Sequence, residues 1–154
     1  MHSHNGFTLL ELLVVLSIIA ILAAIGLPSF RSLTLDNRLT NTTNSLLGAL
    51  QFARSEAVTQ RTTISVCAAN DDETACADST DWSAGALVMR GNTPLRIISP
   101  VSGEVAITSS RNQVDYSAEG TTSAATITIS DTRPQSRQIK VNAIGQACGG
   151  SSCS

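Results

Sequence analysis

The stretch GFTLLELLVVLSIIAILAAIGLP, residues 6–28, is apolar enough for a lipid bilayer except for one carboxylate, Glu11. From Leu12 to Leu27 no residue is charged, and Ser17 is the only polar side chain. A helix from Phe7 to Leu27 would be about 32 Å long at ~1.5 Å per residue, close to a hydrocarbon core of ~30 Å. A carboxylate in mid-bilayer costs roughly 2.5–3.5 kcal/mol on insertion scales, so by default it marks a functional site. An ordinary single-span anchor explains the length of the run but not Glu11. A secretory signal peptide needs a basic segment ahead of its apolar run, and MHSHNG has neither Lys nor Arg.

Outward from this run, the 154-residue chain has the size of one ordinary domain plus an anchor. The remainder is polar, and aromatics are scarce, so its core must rest on Val, Ile, Leu and Ala. A net charge of −2 gives no global basic field for nucleic acid. Four cysteines fall in two close pairs, Cys67/Cys76 and Cys148/Cys153, all after the apolar run. An even count in an exported chain points to disulfides. Three connectivities are open, of which the two local pairs are favoured. Neither pair has the C-x2–4-C spacing of a zinc site, and no metal or cofactor is expected. Asp71, Asp72, Glu73, Asp78 and Asp81 crowd one segment without the spacing of a calcium loop, and read as a solvated acidic loop stapled by Cys67–Cys76.

Gly26 and Pro28 are expected to interrupt the helix, glycine by weakening it and proline by removing a backbone donor. Beyond them Leu35, Leu39, Thr42, Leu46, Ala49, Leu50, Ala53 and Ala57 recur at helical spacing and form one apolar stripe. This amphipathic half should lie across a sheet and end near Gln60. Strand alternation then predicts strands at 62–67, 85–90, 94–98, 104–108, 113–117, 124–130 and 136–143, with turns at Gly91-Asn92, Ser102-Gly103 and Glu119-Gly120. A helix first and strands later define an α+β fold with an antiparallel sheet on the second half of the helix.

Gly6-Phe7-Thr8-Leu9-Leu10-Glu11, the apolar run and its Gly-Leu-Pro exit resemble the class III leader of type IV pilins and type II secretion pseudopilins. The resemblance implies the type IV pilin fold. It also implies a prepilin peptidase that cuts between Gly6 and Phe7 on the cytoplasmic side and methylates the new amine. Residues 1–6 are then a removed leader and 7–28 the transmembrane and filament-stem half of the helix. Residues 29–61 are its amphipathic half, and 62–154 a β-rich periplasmic head. Glu11 would meet the Phe7 ammonium of a neighbouring subunit, and Gly26 and Pro28 would mark a kink or melted stretch in the filament. The partners implied are other major and minor pilins, the prepilin peptidase and the inner-membrane assembly platform. The implied location is the inner membrane with a periplasmic head, then the filament. Arg31 and Arg38 follow the span while the leader has no Lys or Arg, so topology rests on the motif and not on charge. Both histidines, His2 and His4, leave with the leader, which removes the commonest general base, and no enzyme is expected.

Phe52-Ala53-Arg54-Ser55-Glu56-Ala57-Val58-Thr59-Gln60-Arg61 leads into Ile64-Ser65-Val66-Cys67. Together with Cys76 and Trp82-Ser83-Ala84-Gly85, it is similar to the FimT/FimU group of minor pilins, related to pseudopilin H. Trp82 reads as a core or subunit-contact anchor. The group implies a minor pilin at a tip or priming complex that starts polymerisation in adhesion, twitching or transformation. The alternatives are a type II secretion pseudopilin and a DNA-binding pilin. Some FimT-type pilins are understood to bind DNA through Gly-Arg-x-Arg. The aligned Gly145-Gln146-Ala147-Cys148 lacks both arginines, which leaves Arg133, Arg137 and Lys140 as candidate DNA contacts.

Overall fold

A computed structural model of the chain describes residues 8–99 and 103–150. The chain divides into two compact units, Met1–Asp36 and Asn37–Ser154. A single helix, α1 (Leu9–Gln60), begins in the first and ends in the second.

In the first unit the apolar side chains point outward, from Leu9 at 82% exposure to Phe30 at 70%. Among the described residues this is one helix long and apolar enough to cross a membrane. Its few hydroxyls turn back onto the helix's own carbonyls: Ser17 Oγ donates to Val14 O at 2.7 Å and Thr34 Oγ1 to Phe30 O at 3.0 Å. Such back-bonding gives each hydroxyl an acceptor within its own helix.

The expected interruption at Gly26 and Pro28 is corrected here: both lie inside α1, which stays helical across them. Proline withholds one donor from the Ala24 carbonyl, at a cost of about 3 kcal/mol in a helix interior. One lost bond does not unravel a helix of 52 residues, because the bonds on either side remain. Ser29 Oγ bonds Ile25 O at 3.2 Å, which adds a side-chain link beside the gap.

In the second unit α1 buries Leu39, Leu46, Ala49, Leu50, Ala53 and Ala57. The stripe departs from expectation at one position, where Thr43 and not Thr42 is buried. Thr43 falls four residues after Leu39 and three before Leu46, and its Oγ1 donates to Leu39 O at 2.6 Å, so it enters the core with its hydroxyl satisfied. The helix ends at Gln60 as expected. Arg61 takes the left-handed conformation (φ 51°) and Thr62 N–H reaches back to Ala57 O at 3.2 Å, the six-residue closure of a Schellman motif.

Among the described residues eight strands follow, in two four-stranded antiparallel sheets where a single sheet was expected. The first contains β1 (Ile64–Ala68), β2 (Ala86–Arg90), β3 (Thr93–Ile98) and β5 (Gln113–Tyr116), in the order β3-β2-β1-β5. The second contains β4 (Val105–Ser109), β6 (Ala125–Asp131), β7 (Ser136–Val141) and β8 (Ala147–Gly149), in the order β4-β6-β7-β8. The seven expected strands lie within two residues of their observed bounds, and β8 was not foreseen. In the second sheet Val105, Ile107, Ala125, Ile127, Ile129, Ile139 and Val141 alternate inward into the main core, with Ile107 opposite Ile129 and Ile127 opposite Ile139. In the first, Ile64, Val66, Ala68, Ala86 and Val88 join that core, while Cys67, Ala69, Leu87 and Met89 form a smaller cluster. Alternation along the strands puts this cluster on the opposite face of the sheet. The outer edge of β4 is covered by the chain ahead of β2: Trp82 N–H donates to Ile107 O at 2.9 Å and Ser109 N–H to Thr80 O at 2.8 Å.

Candidate assembly surfaces

Two features of the stem were expected to act in assembly. Gly6 and Phe7, the cleavage pair, lie outside the described residues. Glu11 stands in the first turn of α1, where it completes a capping box: Glu11 N–H donates to Thr8 Oγ1 at 3.2 Å and Thr8 N–H to Glu11 Oε2 at 3.5 Å. The T-x-x-E spacing of Thr8 and Glu11 is the sequence signal for this arrangement. The carboxylate also faces the positive end of the helix dipole. It is therefore engaged locally, but by one long bond.

Cys67 and Cys76 are disulfide-bonded with their Cα atoms 5.6 Å apart, as the local pairing expected. Cys148 is disulfide-bonded as well; its expected partner, Cys153, lies outside the described residues. The stapled loop is ordered by Asn70, whose Oδ1 accepts from Thr74 N–H at 2.9 Å and Ala75 N–H at 3.1 Å. Its acids do not converge, and among the described residues no group of three or more His, Cys, Asp or Glu could hold a metal. Asp78 bonds Asn112, and the Asp81 pKa is lowered by a bond from the Ser83 hydroxyl and then by the bond from Ser83 N–H at 2.9 Å.

Trp82 is fully buried, so it anchors the core and cannot serve as a subunit contact. Tyr116 is buried too, and desolvation pushes its pKa up to about 12 while the Arg54 charge pulls the other way. The three candidate DNA contacts are not alike. Arg133 pairs with Asp131 at 2.6 Å and covers that carboxylate, lowering its pKa through the hydrogen bond. Arg137 and Lys140 are both exposed on β7 and border a cleft of about 680 Å³ against Thr43, Asn44 and Leu47 of α1. Arg133 is thus neutralised, while Arg137 and Lys140 line the cleft.

A constellation that the sequence did not single out surrounds Arg54. Its Nε donates to Gly120 O at 3.2 Å and a terminal nitrogen donates to Ile144 O at 2.9 Å. One side chain on α1 thereby holds the loop between β5 and β6 and the loop between β7 and β8. Gly120 (φ 75°) and Gly145 (φ 77°) make this possible, for a Cβ on Gly145 would lie 1.9 Å from the Gly120 carbonyl oxygen. Arg54 lay within the quoted family motif, but its partners are 66 and 90 residues away, beyond any local pattern.

A long N-terminal helix that is apolar and exposed over its first half, then packed against antiparallel sheets, is the architecture of a type IV pilin or pseudopilin. Residues 42–145 match the family model described as Type II transport protein GspH, and residues 1–27 match the prokaryotic N-terminal methylation motif. The chain belongs to the GspH family. Among solved structures it is similar to the type IV minor pilin FimU of Pseudomonas aeruginosa, with TM-score 0.61 and 23% identity over 79% of this chain and 99% of that one. It is also similar to the minor pseudopilin EpsH of the Type 2 Secretion System of Vibrio cholerae, with TM-score 0.55 and 9% identity over 73% of this chain and 95% of that one. No curated protein sequence matches the chain significantly.

Proposed function

We propose that this chain is a minor pilin of a type IV pilus, placed in the tip or priming complex that starts polymerisation. The observation that carries this reading is the join of a methylation motif over residues 1–27 to a GspH-family head through one continuous helix. On this reading a prepilin peptidase cuts after Gly6, Phe7 becomes the methylated N-terminus, and the apolar half of α1 is kept, first in the inner membrane and then in the filament. Glu11 exchanges its single long bond to Thr8 for the Phe7 ammonium of an adjacent subunit. A carboxylate in apolar surroundings is costly alone and tolerated when paired, so docking in the correct axial register is rewarded over near misses. Pro28 and Gly26, helical in the isolated chain, are where the stem would melt on packing.

The test is carried out on the full chain in cells that assemble the filament. Protein recovered from sheared filaments should begin at N-methylated Phe7. Glu11→Ala should insert in the membrane and be cleaved, yet be depleted from filaments at least about tenfold. Normal incorporation of that variant, or a filament protein that retains Met1, refutes the reading. A second reading, a type II secretion pseudopilin, is favoured by the GspH family description and by the likeness to EpsH. Loss of secretion with intact pili on deletion of the gene would select it.

A further inference from the structure

Arg54 sits partly covered where α1 meets the two loops that it holds. A guanidinium carries five N–H donors, and the bonds to Gly120 O and Ile144 O leave three of them uncommitted. Among the described residues no carboxylate forms an ion pair with it. The side chain lines a cleft of about 500 Å³ whose other walls include Gln51, Ser55, Thr59 and Gln146, all uncharged. Val58 in the wall is 48% exposed, and Ile144, adjoining Gly145 of the wall, is 62% exposed, so the cation is flanked by apolar surface. The space beside the guanidinium exists because two residues lack side chains. A Cβ on Gly145 would lie 3.1 Å from Arg54 Nε, and one on Gly120 3.3 Å from it.

A partly desolvated guanidinium with free donors, no counter-charge and an aliphatic rim is complementary to one carboxylate carried beside an apolar group. Its planar fork suits two parallel bonds to a carboxylate. A nucleic-acid backbone presents a row of phosphates and calls for several cations in line. This cleft has a single cation among its lining residues. We propose that the Arg54 cleft receives an Asp or Glu side chain, flanked by an apolar residue, from an adjacent pilin subunit. This inference rests on the filament reading above, which supplies the neighbour.

The experiment places the photo-crosslinker p-benzoylphenylalanine at Ile144, and separately at Leu16 in the stem, in the full chain in cells that assemble the filament. Cells are irradiated before shearing and adducts are mapped by mass spectrometry. The Ile144 probe should join another pilin at a peptide containing Asp or Glu. Arg54→Gln should lower that adduct about tenfold. Gln146→Glu should do the same by placing a carboxylate in the cleft wall, with both Arg54 bonds retained. Gln146 is suited to this because it is held through its backbone, its N–H donating to Asn142 Oδ1 at 2.9 Å and its carbonyl accepting from Asn142 N–H at 3.0 Å. Adducts from Leu16 but none from Ile144, an adduct at a peptide without a carboxylate, or a yield unchanged in both variants overturns this inference and leaves the filament reading standing. No pilin adduct from either position overturns both. Retention of the full chain on DNA-cellulose that falls on Arg54→Gln overturns it in favour of a phosphate partner.

Discussion

Gly145→Ala tests whether the Arg54 constellation holds the head together. The new methyl carbon would stand 1.9 Å from the Gly120 carbonyl oxygen, so one backbone must retreat by more than an ångström. The φ of 77° adds about 1–2 kcal/mol for any L side chain in a left-handed conformation. Moving the Gly120 carbonyl also breaks its 3.2 Å bond from Arg54 Nε. A hydrogen bond to a charged group contributes about 1.5–3 kcal/mol, which brings the expected loss to about 2.5–5 kcal/mol. Gly120→Ala is the internal control. It has a similar φ of 75°, but its Cβ meets side chains and not backbone, Val58 Cγ2 at 2.9 Å and Arg54 Nε at 3.3 Å, which need yield only by a few tenths of an ångström. Its expected cost is about 1–2 kcal/mol, the backbone part alone. Trp82 is the only tryptophan and is buried in the head, so its fluorescence during urea unfolding of the full chain in detergent reports the head without interference from the stem. Equal losses for the two variants, or a Gly145→Ala loss below about 1 kcal/mol, would refute the reasoning.

Arg61→Gly should stabilise the head by about 1 kcal/mol in the same urea assay, because Arg61 takes a left-handed φ of 51° at the end of α1 where glycine bears no strain. Replacing Cys67 and Cys76 by Ser should cost about 2–3 kcal/mol in the chain-entropy account and leave stem insertion unchanged, read by the urea midpoint and by membrane fractionation. Tyr116 is the only tyrosine, so absorbance at 295 nm follows it alone, and it should ionise near pH 12 in the folded chain. Its pKa is raised on folding, so the stability it contributes is whole below pH ~10 and lost as pH climbs from ~10 to 12; Tyr116→Phe should remove that alkaline loss.

The stem was legible because its signals are local. A single run of apolar residues sets the helix, and a single spacing, Thr8 to Glu11, sets the capping box. Strands were legible wherever alternation extends over four residues or more. Ala147-Cys148-Gly149 has no alternation and belongs to the ladder only because β7 supplies partners at Ile139, Lys140 and Val141. The division into two sheets was not legible for a related reason. Periodicity tells which side chains point inward, but not that β5 passes back to pair with β1 while β4 goes to β6. Thr43 shows the same limit on a smaller scale: either threonine fits the helical stripe, and the hydroxyl's bond to Leu39 accompanies the one that is buried.

The two units set different energetic problems, and the chain's charges are distributed to suit them. In the stem, a surface that is apolar all round cannot favour one axial register over another by burial alone, since sliding by a turn buries nearly the same area. On the proposed reading a lone carboxylate breaks that degeneracy, and a capping bond as long as 3.5 Å keeps it in place without making it expensive to release. In the head the helix already has its sheets, and the specificity problem becomes which outer surface meets which neighbour. There some charges are paired within the fold, as in Arg38 with Glu104 and Arg133 with Asp131, and these pairs offer a partner little. Arg54 differs from these pairs, for its bonds go to the carbonyls of two separate loops and no carboxylate pairs with it among the described residues. Glu11 in the stem and Arg54 in the head thus each stand in a neutral setting, and on the proposed reading both are satisfied by another subunit. A filament that admits this chain would then read it twice, once for register at the stem and once for identity at the head.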